Sequence, residues 1–286
     1  MLSYFILLGV MNIRPQGLRI PAEDITLVGD HWTVEDGIGT VLLLHGGGQT
    51  RHSWTRTARR LGQARWNAVC VDTRGHGDSG WSPNGHYTFD LLVSDVAAVA
   101  STLDTPPVLV GSSIGGSAAL VAHGEQNVGR AMVLVDIAPN VEPVGVERVL
   151  SFMTSAPNGF VSLEEAAEVV QAYNPQRERP PSVEGMRKNL RQGIDGRWRW
   201  HWDPQFLQIS GHLDHARMSA AARAHPVPTL LVRGHGSDVV SEAGVHELRE
   251  CMPHARYVDV AGAAHIISGD DNDTMMSCLF DFLDDL

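Results

Sequence analysis

Gly111-Ser112-Ser113-Ile114-Gly115-Gly116 carries the residue types of a nucleophilic site. The apolar run Val108-Leu109-Val110 stops at Gly111, and the helix-prone stretch Ser117 to Ala122 follows Gly115-Gly116. Strand, sharp turn and helix are expected in that order. Within this stretch Gly111-x-Ser113-x-Gly115 fits the nucleophile-elbow pattern. A serine at such a corner takes a strained backbone conformation, commonly with positive φ. Its neighbours two places away are pressed together, and only glycine fits there. The hydroxyl of Ser113 then stands proud of a sheet, at the positive end of a helix.

A serine hydroxyl needs a base, and the base needs an acid that holds its tautomer. His265 follows the small-residue stretch Ala261-Gly262-Ala263-Ala264 at a strand end, and is expected to be the base. Asp238 is the only carboxylate in the loop Gly234-His235-Gly236-Ser237-Asp238 and is expected to be the acid. Asp136, at the end of the strand after the elbow, is the alternative acid. A developing oxyanion needs backbone donors. The N–H of Ile114 is one candidate, and His45-Gly46-Gly47-Gly48 offers a second, the N–H of Gly47. His45, Gly46, Gly48 and Ser112 are expected beside the substrate. Trp198, Trp200 and Trp202 alternate with polar residues, which suggests an extended segment with one aromatic face. These rings either pack the cap on the core or place at least one of their number, Trp200, on the wall of the substrate pocket.

The remaining chain must hold these groups together. Thr40 to Leu44 is a fully apolar run, as expected of a strand buried on both faces, and Trp66 to Val71, Val108 to Val110, Ala131 to Asp136 and Pro228 to Arg233 also read as strands. Helical spacing separates them, as from Phe89 to Leu103 and from Val245 to Met252. This alternation implies an α/β protein with a mostly parallel, doubly wound sheet. Leu18 to Val34 reads as antiparallel edge strands. The alternation stops after Pro139 and resumes near Pro228. Residues 12–139 and 226–286 are therefore expected to form one core, with 140–225 inserted as a helical cap.

Formal net charge is −11, which argues against nucleic acid or an anionic membrane surface as partner. The three cysteines, Cys70, Cys251 and Cys278, lie far apart without metal-ligand spacing. No disulfide framework is expected, and a reducing cytoplasm fits. His201, His212, His215 and His225 match no metal-site spacing, so no metal is expected. Arg74 to Gly80 lacks the lysine of a phosphate loop and reads as a structural turn. The apolar segment Met1 to Val10 is too short to span a bilayer, which needs about 20 residues. It has no basic start or small-residue cleavage site, so no signal peptide is expected. Met11 offers an alternative start.

The ordered set His45-Gly46-Gly47-Gly48, Arg74-Gly75-His76-Gly77-Asp78-Ser79, the Ser113 elbow, Ser237-Asp238 and Ala264-His265 resembles the α/β-hydrolase superfamily. The likeness covers the core and points to the small capped branch with bacterial carboxylesterases and C–C bond hydrolases. It implies a cofactor-free hydrolase using Ser113, Asp238 and His265, with a small-molecule ester as substrate. Ser113 stands where epoxide hydrolases and haloalkane dehalogenases of this fold carry aspartate, which disfavours those activities. C–C bond or lactone cleavage with the same triad is an alternative, as is a slow-turnover receptor on the same scaffold.

Overall fold

The computed structural model describes residues 14–175, 181–211, 214–265 and 273–286. The expectations for the first ten residues and for His212 lie outside these. Eight strands form one sheet: β1 (Gln16–Pro21), β2 (Thr26–Trp32), β3 (Thr40–Leu44), β4 (Asn67–Val71), β5 (Val108–Ser112), β6 (Ala131–Val135), β9 (Thr229–Gly234) and β10 (Arg256–Val260). Their order is β1-β2-β4-β3-β5-β6-β9-β10. β2 runs antiparallel to both of its neighbours, and the strands from β4 to β10 are parallel.

The apolar runs explain the layering. Leu42 and Leu44 of β3 enter one core cluster and Val41 and Leu43 the other; Met132 and Leu134 of β6 alternate likewise with Ala131, Val133 and Val135. Period-two alternation thus feeds two apolar layers from strands that lack a polar face. Helices α2 (Phe89–Ser101), α3 (Ile114–Gln126), α7 (His215–Ala224) and α8 (Glu242–Cys251) pack on one side. Helices α1 (Thr55–Gln63) and α9 (Asp273–Asp284) cover the other. Leu42, Leu43 and Leu109 are fully buried, each contributing ~1.5–3 kcal/mol relative to exposure.

Between β6 and β9 the chain leaves the sheet. It forms α4 (Pro143–Thr154), α5 (Leu163–Tyr173), α6 (Val183–Asn189) and a short hairpin of β7 (Leu190–Gln192) and β8 (Trp198–Trp200). Ser162 caps α5 by accepting the Glu165 N–H at 3.1 Å. Phe160, Leu163, Ala166, Val170, Met186 and Leu190 make a separate apolar cluster there. The hairpin was not expected, because three-residue strands leave no buried run to read. α7 falls inside the expected insertion yet packs on α3, so closely that a Cβ on Gly124 would lie 2.4 Å from Ala221 Cα.

Candidate active site

Ser113 has φ 48° and ψ −125°, and α3 begins at the next residue. A Cβ on Gly111 would stand 2.4 Å from Gly116 Cα, and one on Gly115 would stand 2.5 Å from the His45 carbonyl oxygen. β5, α3 and the end of β3 therefore meet backbone to backbone, which only glycine permits. The Ser113 N–H donates to the Val135 carbonyl at 3.1 Å, tying the corner to β6.

His265 follows β10 through a turn at Gly262, where φ is 73°. The imidazole is 8% exposed, and its Nδ1 lies 2.6 Å from Asp136 Oδ2. Asp136 is fully buried at the end of β6, with φ 51°. Its Oδ1 accepts the Gly234 N–H at 3.1 Å, and its Oδ2 also accepts the Ser237 hydroxyl at 2.6 Å. Three donors thus surround one desolvated carboxylate, which is what a buried anion needs. Ser237 entered the sequence reading only as the neighbour of Asp238, and its hydrogen bond to Asp136 was not expected.

Asp238 does not meet His265. Its carboxylate accepts Arg148 Nη1 of α4 at 2.7 Å. β9 and β10 are parallel neighbours, but strand adjacency does not set side-chain direction. The loop after β9 is pinned from outside: the Glu142 N–H donates to the Val239 carbonyl, and Gly145 sits against the Asp238 carbonyl. That packing turns Asp238 toward α4. It leaves the space above β9 to Asp136.

Ser113, Ile114, Gly47 and His265 share one pocket. It encloses about 670 Å³ of empty space, part of it open to solvent. Val146, Val149, Leu150 and Met153 of α4 line it from the insertion, and Ile137, Val141 and Val239 from the chain beside the sheet. Phe206, Leu207 and Ile209 complete the wall from the segment after β8. The α4 residues were also missed, although their spacing is that of one helical face.

The loop after β3 is fixed by two buried histidines. His45 Nδ1 donates to the Gly46 carbonyl at 2.8 Å, and its Nε2 accepts the Thr73 N–H at 2.9 Å. His76 Nε2 accepts the Gly48 N–H at 3.1 Å, while its Nδ1 lies 3.2 Å from the Arg74 carbonyl. Burial lowers the pKa of His45 and lowers that of His76 to about 3, so both rings are neutral acceptors. The Gly46 N–H is held by Gln49 Oε1 at 3.2 Å. Gly47, between the two engaged amides, lines the pocket.

His45, Gly46, Gly48, Ser112 and Trp200 are not among the residues that line the pocket shared by Ser113 and His265, although Gly46 lies against Ser113, whose Cβ would be 3.4 Å from an added Cβ. His45 is fully buried in loop architecture, and Ser112 is a buried residue of β5. Gly48 meets Trp202, whose ring would lie 3.4 Å from an added Cβ. Trp200 stacks on Trp202 with centroids 4.8 Å apart, and it also meets the rings of Phe152 and Phe160 of the insertion. Arg74 is buried and ion-paired to Asp95 and Asp24, as befits a structural turn. His201 lies under the hairpin, where burial lowers its pKa, and His215 contacts Glu247.

Residues 41–275 match the model of the alpha/beta hydrolase family. An esterase of Mycobacterium tuberculosis is 30% identical over 239 residues, 80% of this chain and 78% of that protein. A 3-hydroxybutyrate-oligomer hydrolase of Cupriavidus necator is 27% identical over 236 residues, 75% of this chain and 80% of that protein. The crystal structure of E-2-(acetamidomethylene)succinate hydrolase superposes with a TM-score of 0.79 at 20% identity, over 94% of this chain and 99% of that one. With this strand order, and with Ser113 at the corner between β5 and α3, the chain belongs to the alpha/beta hydrolase family.

Proposed function

We propose that the chain is a serine hydrolase that cleaves a carboxylic ester through an acyl-enzyme, with Ser113, His265 and Asp136 as its triad. The observation that carries this reading is the 2.6 Å contact between Asp136 and the Nδ1 of His265, which lines the same pocket as Ser113. A carboxylate on Nδ1 keeps the proton there and leaves Nε2 free as a base. Ser113 Oγ attacks the carbonyl carbon as its proton passes to His265 Nε2. The N–H groups of Gly47 and Ile114 hold the oxyanion, helped by the α3 dipole. His265 then protonates the leaving alkoxide. Water attacks the acyl-enzyme with His265 as base, and the carboxylic acid departs. The relatives named as an esterase and as a 3-hydroxybutyrate-oligomer hydrolase favour this chemistry over C–C cleavage.

A panel of p-nitrophenyl esters, with fluorophosphonate labelling and peptide mapping, tests the reading. The label should fall on Ser113. Ser113→Ala should keep its circular dichroism spectrum and lose turnover by about a million-fold. Ser112→Ala should retain labelling and turnover. A label mapped to Ser112, or undiminished turnover in Ser113→Ala, refutes the assignment.

A further inference from the structure

We infer that the ester taken by Ser113 carries an uncharged aliphatic acyl chain, and that one face of α4 sets its length. This rests on the serine-hydrolase reading above. Val146, Val149, Leu150 and Met153 follow one another at helical spacing along α4 and all border the pocket. Ile137 and Val239 face them from the chain beside the sheet. The slot between is hydrocarbon on both sides. Among the described residues its polar side chains are Ser113, Ser117 and His265. Ser117 Oγ lies 3.4 Å from the Ser113 carbonyl, so it is already engaged within α3.

No arginine or lysine lines the slot among the described residues. The cation borne by α4, Arg148, is turned to Asp238 and to the Tyr173 carbonyl, each at 2.7 Å. An acyl chain ending in a carboxylate would therefore bury its charge without a partner. The net charge of −11 adds repulsion at long range. The wall thus rejects half-esters of dicarboxylic acids, although a fold neighbour is named for a succinate derivative. Leu150 is 37% exposed and stands where the slot opens to solvent. Chain length is read between that mouth and Ser113.

Three p-nitrophenyl esters built on one six-carbon acyl chain test the charge rule: hexanoate, the adipate half-ester with a free carboxylate, and its methyl-capped form. The anionic ester should lose about 100-fold or more in kcat/KM against hexanoate, and the methyl cap should restore most of it. From acetate to hexanoate, each methylene should add about fourfold until the slot is full. Val149→Trp should lower the hexanoate-to-acetate ratio of kcat/KM about tenfold. Leu150→Phe, at the half-exposed mouth, is the variant less demanding on folding and should lower the same ratio. Equal turnover of the anionic and neutral esters overturns the charge rule and leaves the serine chemistry standing. An unchanged ratio in both α4 variants overturns the role of that helix. Failure of every ester, with no label on Ser113, instead removes the serine-hydrolase reading and this inference with it.

Discussion

Asp136 and Asp238 are two carboxylates one strand apart with opposite surroundings. Asp136 is sealed beneath the loop after β9, with three hydrogen-bond donors on its two oxygens. Asp238 is partly exposed and faces a single guanidinium, itself 44% exposed. Asp136→Asn would present an amide to His265 Nδ1 and favour the wrong tautomer. Turnover should fall by about four orders of magnitude with the fold retained. Asp238→Asn removes a partly exposed ion pair of ~0–1 kcal/mol and should cost acetyl-ester turnover less than about tenfold. Steady-state kcat on p-nitrophenyl acetate decides between them; the reverse ranking would make Asp238 the acid. The two residues also mark how far the sequence could be read. Ser113 was legible because a strained corner imposes glycines within three residues of it. The partner of His265 was legible only as a choice between Asp238, which was favoured, and Asp136, the alternative, because a contact between residues 129 apart in sequence depends on side-chain direction, which no local pattern records.

The elements around Gly47 act as one brace. The Gly77 N–H donates to the His201 carbonyl and the Asp203 N–H to the Gly75 carbonyl, both at 2.8 Å. The segment leaving β8 is thereby stitched to the turn that holds His76. Asp203 is anchored in turn by the Tyr87 hydroxyl at 2.7 Å. His76 carries this brace into the site by accepting the Gly48 N–H. Alternating tryptophans made an extended segment legible from Arg197 to Trp202, but its target was not, since His76 and Gly48 lie far upstream. His76→Leu would free Gly48 and let the neighbouring Gly47 N–H drift. We expect kcat to fall about tenfold or more, a part of the ~100–1000-fold cost of losing an oxyanion donor, with KM little changed. A boronic-acid transition-state analogue should weaken in parallel. His76→Gln, which keeps an acceptor, should recover most of the loss. A lower melting temperature with unaltered kcat in His76→Leu would reduce His76 to packing.

At the scale of the whole molecule, hydrophobic period and chain alternation made the sheet and its two apolar layers legible in advance. The inserted segment was legible as a helical interruption with one extended stretch at the alternating tryptophans, whereas the pairing of β7 with β8 and the packing of α7 on the core carry no distinct local signature. The fold that results buries several imidazoles, and this has a consequence for stability. Burial lowers the pKa of His45, His52, His123 and His201 as well, and lowers that of His76 to about 3. In the unfolded chain each would titrate near ~6.5. Below that pH the unfolded state binds more protons than the native state, so acidification favours unfolding. The stabilisation is fully present above ~6.5 and is lost as pH falls toward the native values. For His76 alone the difference amounts to about 2 kcal/mol at pH 5. An opposing effect exists: the net charge of −11 diminishes as pH approaches the isoelectric point near 5.6, which relieves repulsion. That repulsion acts between solvated charges and is screened at ~0.15 M salt, whereas the buried rings are not. The histidines should therefore win. Urea midpoints measured in 0.15 M salt should fall between about pH 7.5 and about pH 5, and His76→Gln should flatten part of that fall. A midpoint that holds steady or rises over this range would mean that charge relief outweighs the buried imidazoles.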